Sequence, residues 1–251
     1  MTALAENLER LEAEIESACK RVGRTRNEIE LMAVTKTYPA STIAEAATLG
    51  IRLFGENRVQ EFAAKAAEAE PLRNPASGAA ESSSGPVRVN LIGHLQSNKT
   101  HRAVELFDGV DSLDSVHLAE RLNEAARKLG KRLPVLIEVK LSPEETKSGV
   151  APESSDAAEL LEVLPGLLHL DVRGLMTIAP WGVAEDVTRA CFRSLREWRD
   201  KWAAAHPALS LDVLSMGMSG DFALAIEEGA TRIRIGTALF GKRAPYMGPP
   251  E

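Results

Sequence analysis

Leu31-Met32-Ala33-Val34-Thr35-Lys36 is an apolar run closed by a hydroxyl and an amine. Its shortness and its β-branched Val34 and Thr35 give it the character of a buried strand. Working outward from it, strand-like segments lie at 30–36, 51–54, 87–93, 109–113, 133–141, 171–176, 211–216 and 231–235. Helical patterns separate them at about 40–49, 56–69, 98–107, 115–129, 153–163, 184–205 and 219–228. Before the first strand, Leu8, Leu11, Ile15 and Ala18 recur at helical spacing and predict an extra helix over 4–22. Eight strands alternating with helices predict an α/β chain folded as a single (β/α)8 barrel of the TIM type. The rival, an open doubly wound sheet, lacks a Gly-x-Gly-x-x-Gly turn after the first strand. The barrel is expected over 1–243, with a mobile low-complexity loop at 71–86 on the side away from the strand C-termini and a short tail at 244–251.

The chain has 251 residues, and 30 Lys and Arg against 36 Asp and Glu leave a net charge of −6. That balance argues against a nucleic-acid surface and against an anionic membrane. No apolar run approaches the roughly 18 residues of a membrane span. The first 20 residues carry acids throughout, without the basic start and apolar centre of a signal peptide. Cys19 and Cys191 are too few for a disulfide framework and fit a reducing compartment. The reading is a cytoplasmic protein with no nucleic-acid or membrane partner.

In a barrel of this type, chemistry gathers where the strands end. Strand one ends in Lys36, two in Gly55-Glu56-Asn57, three in Gly93 to Lys99, four in Asp111-Ser112, five in Lys140 and six in Met176-Thr177. Alone, Lys36 is an ordinary solvated strand-end lysine. Here it shares the direction of Met32 and Val34, so it stands in the mouth if they fill the barrel. Partial desolvation there favours the neutral, nucleophilic amine. Strand seven leads into Ser215-Met216-Gly217-Met218-Ser219-Gly220 and strand eight into Gly236-Thr237. Each is a turn whose amides and hydroxyls can cradle a phosphate, and barrels commonly place one between these two loops. Ser219 as a plain helix cap is the simpler reading of the first turn. Arg234 lies two residues before Gly236 and shares its side of the strand; the alternative is a buried arginine paired to a carboxylate. An amine facing a phosphate cup suits pyridoxal 5′-phosphate. The histidines show no metal spacing, and no metal site is expected.

Seven motifs then become recognisable in order: Ala-Val-Thr-Lys-Thr at 33–37, Phe-Gly-Glu-Asn-Arg-Val-Gln-Glu at 54–61, Ile-Gly-His-Leu-Gln-Ser-Asn-Lys at 92–99, Lys-Ser-Gly at 147–149, Arg-Gly-Leu-Met-Thr-Ile-Ala-Pro at 173–180, Leu-Ser-Met-Gly-Met-Ser at 214–219 and Arg-Ile-Gly-Thr-Ala-Leu-Phe-Gly at 234–241. Together they resemble the YggS/PROSC family of pyridoxal phosphate homeostasis proteins over about residues 5–243. The resemblance implies a monomeric or weakly dimeric barrel like the N-terminal domain of alanine racemase, a fold type III pyridoxal phosphate protein. It implies an internal aldimine on Lys36, with Asn57 beside the cofactor. It implies Ser215, Ser219, Gly236 and Thr237 at the phosphate, Met216 at the ring and Arg234 near the pyridine nitrogen. Such proteins are thought to bind, buffer and deliver the cofactor, with apo-enzymes that need it as possible partners. Lys140 departs from the asparagine that family members often carry there, and shares a strand face with Glu138. Lys99 and Lys147 stay open between solvent-facing amines and a second cofactor site.

Two other functions compete. A pyridoxal phosphate-dependent amino-acid racemase of low activity needs a base on each face of the substrate carbon. The tyrosines on offer are Tyr38, expected beyond the strand end, and Tyr246 in the tail. With no second domain expected, the open mouth should admit water. A class I aldolase using Lys36 or Lys140 explains an amine and a phosphate cup, but leaves Arg234 without a role.

Overall fold

The computed structural model describes residues 2–74, 85–142 and 148–241. Most of the expected 71–86 loop, together with Lys147, Tyr246 and the tail at 244–251, lies outside the described residues. The strands are β1 (Glu30–Val34), β2 (Leu53–Glu56), β3 (Arg88–Leu91), β4 (Gly109–Leu113), β5 (Leu133–Glu138), β6 (Leu170–Met176), β7 (Val213–Ser215) and β8 (Arg232–Ile235). They are parallel and close on themselves in sequence order, β8 returning to β1 with Ala33 opposite Ile235. Around them run α2 (Ala40–Thr48), α3 (Val59–Arg73), α4 (Thr100–Leu106), α5 (Val116–Lys128), α6 (Ser155–Val163), α7 (Glu185–Ala205) and α8 (Phe222–Glu227). The additional helix α1 (Ala3–Arg21) starts where the Thr2 hydroxyl accepts a hydrogen bond from the Ala5 N–H. It buries Leu4, Leu11, Ile15 and Ala18 and lies against α8 and a short closing helix, α9 (Thr237–Phe240).

The apolar core sits between sheet and helices, where Ala33, Phe54, Val89, Val110, Ile137, Leu175, Leu214 and Ile233 turn outward from the strands. The barrel interior is partly polar. Arg232 on β8 donates to Glu30 on the neighbouring β1 and, at 3.0 Å, to Asp111 on β4. β4 and β8 are opposite walls of the barrel, so that bond crosses its interior. Asp111 also accepts from Asn90 of β3 at 2.8 Å. The described helices include none long and apolar enough to cross a membrane.

Three elements depart from the sequence reading. Helix α3 continues through Pro71 to Arg73 where a loop was expected. The proline forfeits one bond near the helix end, but Arg73 forks onto Asp108 at 2.7 and 3.1 Å and holds that end down. β5 stops at Glu138, because the next residues pair with the returning chain: Lys140 N–H donates to Val150 C=O and Val150 N–H to Glu138 C=O. Gly236 and Thr237, read as a turn, lead straight into α9.

Candidate functional site at the C-terminal mouth of the barrel

Strand parity aims the site. Glu30 faces the interior, so Met32, Val34 and then Lys36 follow on the same side. Lys36 lines a cavity of about 270 Å³ at the strand C-termini together with Asn57, His94, Glu138, Lys140 and Ile178. A broader recess of about 930 Å³ adjoins it and shares Lys36, Asn57 and His94, adding Arg58 and Lys99. Asn57 is fixed by a close backbone approach: a Cβ on Gly93 would lie 2.2 Å from the Asn57 carbonyl oxygen, so only glycine fits there.

The odd-numbered neighbours of Lys36 turn the other way and are clamped. Thr35 is fully buried, and its hydroxyl donates to Glu56 at 2.6 Å. From α3 the buried Lys65 reaches under the turn, donating to the Thr35 carbonyl at 3.0 Å, to the Tyr38 carbonyl at 2.8 Å and to Glu56 at 2.8 Å. Burial pushes the Glu56 carboxyl up, against the pull of Lys65. Thr37 takes a left-handed φ of 68°, and its N–H donates to Glu61. Lys36 is therefore presented by a braced turn. Tyr38 is drawn aside: its hydroxyl donates to the Gly241 carbonyl at 3.2 Å and its ring leans on Phe240.

The turns after β7 and β8 meet at the same rim. Since Ala33 stands opposite Ile235, the chains leaving β1 and β8 emerge side by side. The Ser219 hydroxyl accepts from Ala238 N–H at 3.1 Å and ties the two turns together. Gly217 has φ +92°, and a Cβ there would fall 2.6 Å from the Cβ of Ala225, so the turn demands glycine. Asp221 accepts from Met218 N–H at 2.6 Å, and burial raises its carboxyl pKa. Ser215 is fully buried beneath these turns, where its hydroxyl accepts from Arg234 at 2.9 Å. Arg234 also donates to the carbonyls of Ser215 and Thr177 at 2.6 and 2.7 Å, so among the described residues its hydrogen-bond partners are carbonyls and a hydroxyl, with no carboxylate. Met216 is fully buried in the core.

Of the residues named from sequence, Lys36 and Asn57 share the smaller cavity. Ser219, Gly236 and Thr237 sit together in the bridged turns, and Ser215 with Arg234 forms the layer below. The described lining of that cavity includes none of these last five. Glu138 is the residue sequence reasoning underused: it was considered only as a partner for Lys140. Its signal was its place two residues before Lys140, on the same strand face. Burial and the Asp114 carboxylate raise its pKa to about 7, against the pull of Arg234.

The family model described as alanine racemase, N-terminal domain, matches residues 6–244. A protein of Vibrio cholerae named pyridoxal phosphate homeostasis protein is 41% identical over 97% of this chain and 98% of its own length. Its namesake in Pseudomonas aeruginosa is 40% identical over 97% of each. The chain belongs to this family. Among solved structures, the family member PipY of Synechococcus elongatus, described with pyridoxal phosphate bound, is 40% identical with a TM-score of 0.80, covering 95% of this chain and 100% of PipY. An alanine racemase of Clostridium difficile shares the fold at 18% identity and a TM-score of 0.68, and this chain spans 57% of its length. Pyridoxal phosphate homeostasis proteins thus match this chain end to end, and the racemase matches it through one domain's fold.

Proposed function

We propose that this protein binds pyridoxal 5′-phosphate covalently through Lys36 and serves its intracellular storage and delivery to apo-enzymes that need it. The supporting observation is the amine on the interior face of β1, next along the β1–β8 seam to two turns bridged by Ser219. The residues suit such a ligand: the mouth offers an amine, a cavity of about 270 Å³ and a turn in which Gly217 leaves no room for a side chain. When bound, the cofactor supplies an aldehyde that condenses with the amine.

In this reading Ser219, Gly236 and Thr237 hold the phosphate through hydroxyls and backbone amides. Arg234, oriented by Ser215 and Thr177, would be the cation toward the ring nitrogen and would disfavour its protonation. Asn57 would lie at the ring edge, and Met216 would support the ring from the core side. The engaged Tyr38 hydroxyl is poorly placed to serve as a second base, which supports holding over turnover. The test is the absorbance of purified protein reconstituted with pyridoxal phosphate, then borohydride reduction and peptide mass mapping. A yellow protein with its reduced adduct on Lys36 is expected. A colourless protein that takes up no cofactor would overturn the reading.

A further inference from the structure

Among the described residues, two side-chain oxygens are buried without a hydrogen-bond partner, Glu56 Oε2 and Glu138 Oε2. Glu56 lies behind the strand wall and meets Lys65 and Thr35 through its other oxygen. Glu138 forms no ion pair among the described residues, is 6% exposed, and lines the same cavity as Lys36. A buried carboxyl without a partner is costly, and such groups mark places where a proton or a ligand is handled.

We propose that Glu138 is the acid–base group for loading and unloading an aldehyde ligand at Lys36. The inference rests on Lys36 being the covalent anchor. An ammonium cannot attack a carbonyl, so a protonated lysine must first give up a proton. Glu138, as a carboxylate, takes one ammonium proton. The Lys36 nitrogen then bonds to the aldehyde carbon, and a second proton passes from nitrogen to the former carbonyl oxygen. Glu138 returns the first proton to that oxygen as its bond to carbon breaks and water leaves. The new C=N keeps one proton, Glu138 ends as it began, and nothing is oxidised or reduced. Unloading by water is the same sequence reversed, and the aldehyde leaves as the Lys36 ammonium re-forms.

A group doing both jobs works best when both of its forms are populated near neutral pH. The charged groups around Glu138 are Lys36 from β1, His94 after β3, Asp114 after β4, Lys140 on its own strand end and Arg234 from β8. β2 contributes the uncharged Asn57 and β6 the apolar Ile178. His94, 3.4 Å from Asp114, is the neighbouring side chain that the experiment must separate from Glu138.

The experiment is stopped-flow absorbance of pyridoxal phosphate loading onto cofactor-free protein across the neutral range, for wild type, Glu138→Gln, Glu138→Asp and His94→Gln. The wild-type rate should turn over near pH 7. Glu138→Gln should load and release about 10²-fold more slowly and lose that inflection, with cofactor affinity changed far less than the rates. Glu138→Asp should recover part of the rate, and His94→Gln should keep the inflection. Should Glu138→Gln fail to fold by circular dichroism, Glu138→Asp alone decides: a wild-type rate and profile overturns the proposal. So does a Glu138→Gln variant that loads like wild type, or an inflection that disappears only with His94→Gln. A wild type that forms no reducible adduct on Lys36 overturns the anchor reading itself, and this proposal with it.

Discussion

At Glu138 the fold holds a carboxyl whose pKa is about 7 where 4.5 is ordinary. The unfolded chain ionises this group above its ordinary pKa, whereas the folded chain resists ionisation until neutrality. Its contribution to stability is therefore present at low pH and is lost as pH rises through about 7. A shift of this size corresponds to about 3 kcal/mol. Glu138→Gln removes the loss, so the cofactor-free variant should gain on wild type by up to that amount between acid and mildly alkaline pH. Urea midpoints across that span measure it, and a constant difference would show the carboxyl to be solvated. Gly217 offers a second test. Gly217→Ala adds a Cβ against Ala225 in a backbone region that side chains avoid. It should cost about 1–3 kcal/mol of stability and weaken retention of a phosphate ligand, read by denaturant midpoint and by equilibrium dialysis of pyridoxal phosphate.

Between elements, α3 braces the turn that carries Lys36. Lys65→Met strips Glu56 of its cation behind the strand wall and should cost about 3–5 kcal/mol, because the carboxylate stays buried. Adding Glu56→Gln removes the stranded charge, so the double variant should be less damaged than the two single losses combined. Additive losses in urea unfolding would mean that the two side chains act independently. This brace also marks what the sequence could and could not disclose. The outlines of β1 to β8 were legible because Leu31 to Val34 and its counterparts are compact apolar runs. Lys36 and the Gly217 turn were legible because they end strands, whereas Gly236 and Thr237, read as a turn, open α9. Lys65 was hidden, since a lysine in a helical stretch reads as solvated until the fold shows which carbonyls it reaches. Pro71 misled for a similar reason: the Arg73–Asp108 fork that keeps its helix intact joins residues far apart in sequence. The partners of Arg234 are mostly backbone carbonyls, which sequence does not advertise.

For the molecule as a whole, opposite walls of the barrel are tied through Arg232, Asp111, Glu30 and Asn90 rather than by aliphatic layers alone. The register that makes this network emerges only when β8 closes on β1, so no single segment reveals it. Arg232→Met leaves Asp111 buried without its cation and should lower the thermal midpoint by roughly 10 °C. Because the Arg232–Asp111 contact is buried, added salt should change that difference little. A salt-sensitive difference in scanning calorimetry would place the contact in solvent. One feature of the rim has an optical consequence. Trp181 is 89% exposed, three residues beyond Ile178 of the mouth cavity, whereas Trp198 and Trp202 lean on one another along α7. An indole beside a chromophore that absorbs at its emission wavelengths surrenders its fluorescence. Loading of the proposed ligand should therefore dim the emission of Trp181, and Trp181→Phe should remove that part of the signal while Trp198 and Trp202 still emit.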